Sequence, residues 1–215
     1  MLVEEVMTKN VITLPPNEKI ETALKLLNKH RIRHIPIVDE HNHVIGIVSD
    51  RDVRDASPSI FDMDTKGEQL HKEIRTIMSS PVVTVHPLDF VEEVASIFYE
   101  KAFACVPVTE NNKLVGIVTE KDILYTLIQL TGIHEQSSQI EIKVENKIGI
   151  LPKVTNTIGE FKVNISSVLV YPYKDDHTKK ILTFRIQTLN PLPIIEALKN
   201  KGFEVLWPKI PGITE

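Results

Sequence analysis

The sequence predicts a mixed α/β (α+β) protein: a tandem β-α-β-β-α repeat followed by a separate β-α-β-β-α-β domain. Three observations lead there. The first two thirds of the chain are self-similar at a nearly fixed offset. Apolar residues recur at helical spacing after each short apolar stretch. Past residue 139 the pattern changes to strict alternation, which marks half-buried strands.

The repeat is read from residues 71 positions apart (78 − 7 = 71). Val6-Met7-Thr8 matches Ile77-Met78-Ser79, Pro16 matches Pro87, and His34-Ile35-Pro36-Ile37 matches Cys105-Val106-Pro107-Val108. The offset then falls to 70 (122 − 52 = 70), so Gly46-Ile47-Val48-Ser49 matches Gly116-Ile117-Val118-Thr119 and Asp52 matches Asp122. The lost residue lies in polar turns, 39–43 against 110–113, where a change of length is cheap.

In the first copy a short strand at 11–13 runs into Pro15-Pro16, and Asn17 is placed to cap a helix. Ile20, Ala23, Leu24 and Leu27 form that helix's apolar face. A strand at 35–38, a polar turn, a strand at 44–48 and a helix from Asp50 complete the unit. In the second copy Asp89 is the cap, with Glu92 three residues on, and Val91, Val94, Ala95 and Phe98 form the face. Its last helix is longer and reaches about Leu130. A unit of about 55–60 residues buries too little surface to stand alone, so the copies are expected to pack together. The boundaries read as 1–56 and 74–131, with a linker at 57–73 that has room for a short helical turn.

Residues 132–139 read as a second linker and 140–208 as the last domain. Ile140, Ile142 and Val144 alternate with charged residues, and Leu151, Val154, Ile158 and Phe161 follow at helical spacing. A β-branched stretch at 163–171, a polar hairpin at 172–179 and the alternating 182–187 give two more strands. A helix at 193–201 stopped by Gly202 and a strand at 203–207 close a ferredoxin-like plan.

Of the 215 residues, 42% are hydrophobic and 25% charged, enough for a packed core. A net charge of −4 argues against nucleic acid as a partner, which needs a basic face. The single cysteine, Cys105, excludes an intrachain disulfide. The acidic start has no signal-peptide core, and no apolar run nears the ~20 residues that span a bilayer, so a cytoplasmic protein without membrane contact is expected. Catalytic motifs of the nucleophile-elbow, zincin, Walker and dinucleotide types are absent from the sequence. Cys105 has no identifiable base and reads as structural, and His41-x-His43 reads as a solvated turn rather than a metal site. No catalytic residue and no metal ligand is expected.

The most informative motif is Gly46-Ile47-Val48-Ser49-Asp50-Arg51-Asp52, repeated as Gly116-Ile117-Val118-Thr119-Glu120-Lys121-Asp122. It places a strand end at a helix N-terminus. A hydroxyl, free N–H groups and a carboxylate three residues on make a site for phosphate and ribose. The same spacing is also a capping box, which needs no ligand. Its occurrence at matched places in both copies, each after Gly-Ile-Val, favours the ligand reading.

Both copies resemble CBS modules across about residues 1–130, on the strength of His-Ile-Pro-Ile-Val and Gly-Ile-Val-Ser-Asp-Arg-Asp. The resemblance implies a non-catalytic regulatory pair that requires no cofactor and binds AMP, ATP or S-adenosylmethionine in two clefts. It carries over ligand contacts to Ser49 and Asp52 and to Thr119 and Asp122. Thr13, Thr84, Arg33, His34 and Cys105 take other cleft-lining positions, with Ala104 where the first copy has Arg33. The last domain resembles an ACT domain, which implies a homodimer and an amino acid near the loop Asn146, Ile148 and Gly149, although Ile148 stands where that loop usually has proline. The order of domains, with 87–93 and 190–193, is similar to acetoin utilisation proteins of bacilli. That likeness implies a role in acetoin catabolism and a metabolic enzyme as partner.

Overall fold

The computed structural model describes residues 1–56 and 69–209, so the linker expected at 57–73, with its helical turn, lies mostly outside the described residues. The chain divides into two compact units, Met1–Leu124 and Tyr125–Glu215. The division falls inside a helix and not in the polar run at 132–139.

In the first unit α1 (Val3–Val6) is followed by α2 (Ile20–His30), β1 (His34–Val38), β2 (Val44–Ser49) and α3 (Asp50–Asp55). The second copy opens with a 3-10 turn (Ile74–Thr76) and continues through α4 (Val91–Lys101), β3 (Cys105–Glu110), β4 (Lys113–Thr119) and α5 (Glu120–Thr131). The last turns of α5 belong to the second unit. The copies share conformation in detail. Each hairpin is antiparallel with one register shift, at Ile37/Val38 and at Val108/Thr109. Helices α2 and α4 both end on a left-handed residue, Arg31 (φ 53°) and Ala102 (φ 54°).

Two sequence expectations need correction. The strand at 11–13 does not form, and neither does a counterpart at 82–84 in the second copy. Leu14 makes a single parallel bridge to Ile37, and Val85 one to Val108. The prolines that follow, Pro15 and Pro87, bring no N–H to continue a ladder. Nor are Asn17 and Asp89 the helix caps. Helix α2 begins after Lys19 without a side-chain cap, and the Ile20 N–H donates to the Lys72 carbonyl (3.0 Å). In α4 the matching Val91 N–H donates to the Met1 carbonyl (3.1 Å), and Asp89 accepts instead from the His86 N–H (2.7 Å). A backbone carbonyl from the segment leading the other copy takes the place of the local side chain at both helix starts.

This exchange runs through the whole unit. Val3 donates to Asp89 and Thr8 bridges Ile117, while Ile74 donates to Glu18 and Ser79 bridges Ile47. Ile74 is fully buried with Leu14, Ile20, Leu27, Ile35, Ile37 and Val53 in the core of the first copy. Val3 is likewise buried with Val85, Val94, Phe98 and Val118 in the core of the second. The segment leading each copy is therefore structurally part of its sibling.

The second unit holds a four-stranded antiparallel sheet of β5 (Ser138–Glu145), β6 (Ile165–Pro172), β7 (Lys179–Ile186) and β8 (Glu204–Trp207), in the order β6-β7-β5-β8. Helices α6 (Ile150–Gly159) and α7 (Leu192–Asn200) pack on one face, where Ile140, Ile142, Leu182, Phe184 and Ile186 meet Val154, Ile158, Ile194 and Leu198. Edge strand β6 keeps Val168, Leu169, Val170 and Tyr171 between 38% and 48% exposed.

Candidate functional site

Strand β2 ends on Ser49, and α3 begins at the next residue. The Ser49 N–H and hydroxyl both donate to one oxygen of Asp52 (2.7 and 2.6 Å), and the Asp52 N–H donates back to the hydroxyl (3.2 Å). The second copy repeats this. The Thr119 N–H and hydroxyl donate to one Asp122 oxygen at 2.8 and 2.7 Å. The first junction is closed as a reciprocal capping box, and the second shares its bonds to the carboxylate, so each carboxylate is held beside a helix N-terminus.

The strand partners complete the junctions. His34 lies opposite Ser49 in the β1–β2 ladder, and Cys105 opposite Thr119 in β3–β4. The Asp50 N–H donates to the Arg33 carbonyl (2.9 Å) and the Glu120 N–H to the Ala104 carbonyl (3.2 Å), tying each helix start to the strand before it. Asp50 and Glu120 were not singled out by sequence reasoning. Their signal was the matched acidic residue directly after Ser49 and Thr119. The Arg33 side chain is 71% exposed and lies 4.0 Å from Asp50, which also holds Arg54 at 2.9 Å. These exposed pairs contribute little stability and leave Arg33 available to an anion.

Electrostatics distinguish the two copies. Burial, helped by the positive charge of Arg33, holds the His34 imidazole below its ordinary range, against the pull of Asp50, Asp52 and Glu120. A carboxylate of the second copy therefore acts on the first. Burial, with Asp122 adding its charge, pushes the Cys105 thiol up to about 12. Cys105 is protonated at neutral pH and 8% exposed, so it is no nucleophile.

Thr13 is half-buried and lines a cavity of ≈ 700 Å³ with Asn17, Asp39 and His41. It is the one predicted site residue among that cavity's lining. Its counterpart Thr84 is exposed. Asp39 accepts from the His41 and His43 N–H groups and from the His43 ring, so the histidines belong to a closed turn. Among the described residues no group of three His, Cys, Asp or Glu could hold a metal ion. In the second unit Gly149 takes φ +80° ahead of α6, the Asn146 N–H donates to the Thr178 carbonyl (2.8 Å), and Ile148 is fully exposed. The 146–149 loop thus presents its central side chain to solvent.

Comparison with known proteins places this geometry. The CBS domain model matches residues 3–59 and 74–129, more than half of the chain. The chain belongs to the CBS-domain family. Its CBS pair is 37% identical over 123 residues to L-aspartate semialdehyde sulfurtransferase of Methanocaldococcus jannaschii, covering 57% of this chain but 22% of that enzyme. It is 31% identical over 135 residues to a CBS domain-containing protein of Dictyostelium discoideum, covering 60% of this chain and 93% of that protein. Among solved structures, a CBS domain pair in complex with 5′-methylthioadenosine and S-adenosyl-L-methionine matches at TM-score 0.51 and 34% identity, over 59% of this chain and 95% of that one. A putative acetoin utilisation protein from Vibrio cholerae matches at TM-score 0.55 and 30% identity, over 64% and 98%. The chain thus spans only 22% of that sulfurtransferase and 25% of a homoserine O-acetyltransferase of Methanococcus vannielii that it also matches. No helix among the described residues is long and apolar enough to cross a membrane.

Proposed function

We propose that this chain is a non-catalytic regulator whose CBS pair binds an adenosyl compound at the two strand–helix junctions. The observation that carries the reading is the duplicated junction. Ser49–Asp52 and Thr119–Asp122 hold a carboxylate in the same place beside a helix N-terminus, each opposite the first residue of its hairpin. One carboxylate suits a ribose diol, and Arg33 with the helix N–H groups suits phosphate. CBS pairs crystallised with S-adenosyl-L-methionine and with AMP support this ligand class. Arg33 faces no equivalent in the second copy, where Ala104 stands, so phosphorylated ligands belong to the first cleft and a cationic sulfonium is better tolerated in the second.

The second unit, with its β-α-β-β-α-β order, is proposed to be an ACT-like effector domain that also pairs chains through the exposed edge of β6. The likeness to the putative acetoin utilisation protein of Vibrio cholerae supports a role in acetoin catabolism, and a cytoplasmic location and a metabolic enzyme as target are proposed with it.

The test is thermal unfolding with AMP, ATP and S-adenosylmethionine. A bound ligand at a hundred times its Kd adds about 2.7 kcal/mol. Asp52→Asn and Asp122→Asn keep the cap geometry and are expected to lose that shift one cleft at a time. The carboxylates already engaged by Ser49 and Thr119 favour a second reading, an interaction module with vestigial clefts. No shift with any adenosyl compound would select it.

A further inference from the structure

The first strand–helix junction holds a titratable side chain that its neighbours do not satisfy. His34 opens β1 half-buried and opposite Ser49, with Arg33 beside it in the chain. Neither nitrogen of its ring has a hydrogen-bond partner among the described residues, whereas the ring of His43 is held by Asp39 at 3.0 Å. Four charged groups act on the His34 ring. Arg33 precedes it, Asp50 and Asp52 come from the start of α3, and Glu120 comes from the start of α5 in the second copy. None of the carboxylates closes on it: Asp50 holds Arg54 at 2.9 Å, and Asp52 accepts from the Ser49 N–H and hydroxyl.

Burial and Arg33 together outweigh the three carboxylates, so the free ring is neutral at neutral pH. A phosphate reverses that balance. Seated on the exposed Arg33 guanidinium, it cancels the positive charge that opposes protonation, and its oxygens accept from an imidazolium N–H. Asp50, Asp52 and Glu120, no longer opposed by Arg33, then favour the charged ring. The second copy has neither group. Ala104 and Cys105 stand where the first has Arg33 and His34, and the Cys105 thiol stays protonated throughout.

We propose that the first cleft takes up a proton together with its ligand: an adenosine phosphate on Arg33 binds with protonation of His34, which makes His34 the residue that separates phosphate-bearing from phosphate-free adenosyl compounds. The inference rests on reading this junction as an adenosyl site and adds the proton to it. A ligand that stabilises the imidazolium binds more tightly as pH falls from about 7.5 toward 6, by up to about tenfold per pH unit. The second ionisation of the phosphate, near pH 6, acts with the opposite sign, because a phosphate held by Arg33 releases its proton on binding. Net uptake therefore reports the histidine and net release the phosphate.

The test is isothermal titration of the full chain with AMP at neutral pH, in phosphate-free buffers of differing ionisation enthalpy. Net proton uptake is expected, with a dissociation constant at least about threefold lower at pH 6 than at pH 7.5. 5′-Methylthioadenosine, which carries no phosphate, should bind without uptake. His34→Gln should lose the uptake and bind AMP no more tightly at the lower pH. If His34→Gln does not fold, Arg33→Gln at its exposed position carries the same expectation, with AMP weakened more than 5′-methylthioadenosine. AMP binding without uptake or with net release, equal uptake with 5′-methylthioadenosine, or uptake undiminished in His34→Gln would overturn the proposal and leave the adenosyl site standing. Absence of AMP binding also overturns it, and the adenosyl reading falls with it only if 5′-methylthioadenosine and S-adenosylmethionine fail to bind as well.

Discussion

Gly46 and Gly116 mark where the two CBS copies lock together, and neither is a glycine for conformational reasons, since neither has positive φ. A Cβ built on Gly46 would lie 2.4 Å from Met78 Sδ, 2.9 Å from its Cγ and 3.3 Å from its Cβ. On Gly116 it would meet Met7 at 2.4, 3.0 and 3.3 Å. Rotation of the methionine can move Sδ and Cγ but not its own Cβ, so the backbone must also give by a few tenths of an ångström. Overpacking of this kind costs about 1–3 kcal/mol. Gly46→Ala is therefore expected to destabilise the first unit by that amount in urea unfolding, with no change in slope. Met78→Ala removes Sδ and Cγ and leaves only the Cβ contact at 3.3 Å, so Gly46→Ala should cost much less in that background. The coupling between the two changes would then be most of the single-site penalty. Gly116 and Met7 should behave identically. A Gly46→Ala protein within about 0.5 kcal/mol of wild type, or a penalty undiminished by Met78→Ala, would refute the reasoning.

Three further outcomes follow from particular residues. Ile74→Ala should cost about 2–5 kcal/mol, because this residue fills the core of the first copy although its sequence leads the second; urea denaturation followed through a probe in the first copy reads it. Gly149→Ala meets no atom within 4 Å, so its cost is the left-handed backbone alone, about 1–2 kcal/mol, measurable by thermal unfolding. His34 has a folded pKa below its unfolded one, so the unfolded chain takes up more protons as pH falls from 6.5, and stability should drop over that range. The pH profile of His34→Gln should be flatter there, and an unchanged profile would count against burial as the cause.

The chain's periodicities were enough to define most of its elements, the short strand at 11–13 and its counterpart excepted. The hairpins, the helices α2, α4 and α5 and the alternating strands β5 and β7 follow from the spacing of their apolar residues. The repeat also marks Ser49–Asp52 and Thr119–Asp122 as matched junctions, because those contacts span three residues. What only the tertiary structure decided lies at long range. Lys72 and Met1 replace Asn17 and Asp89 at the helix starts, and Ile74 and Val3 cross into the sibling core. The charge of Glu120 reaches His34 across the two copies. Local spacing carries information about neighbours a few residues apart. A hydrogen bond closed from over fifty residues away competes with the local cap on energy alone, and its partner cannot be read until the chain has folded back to supply it.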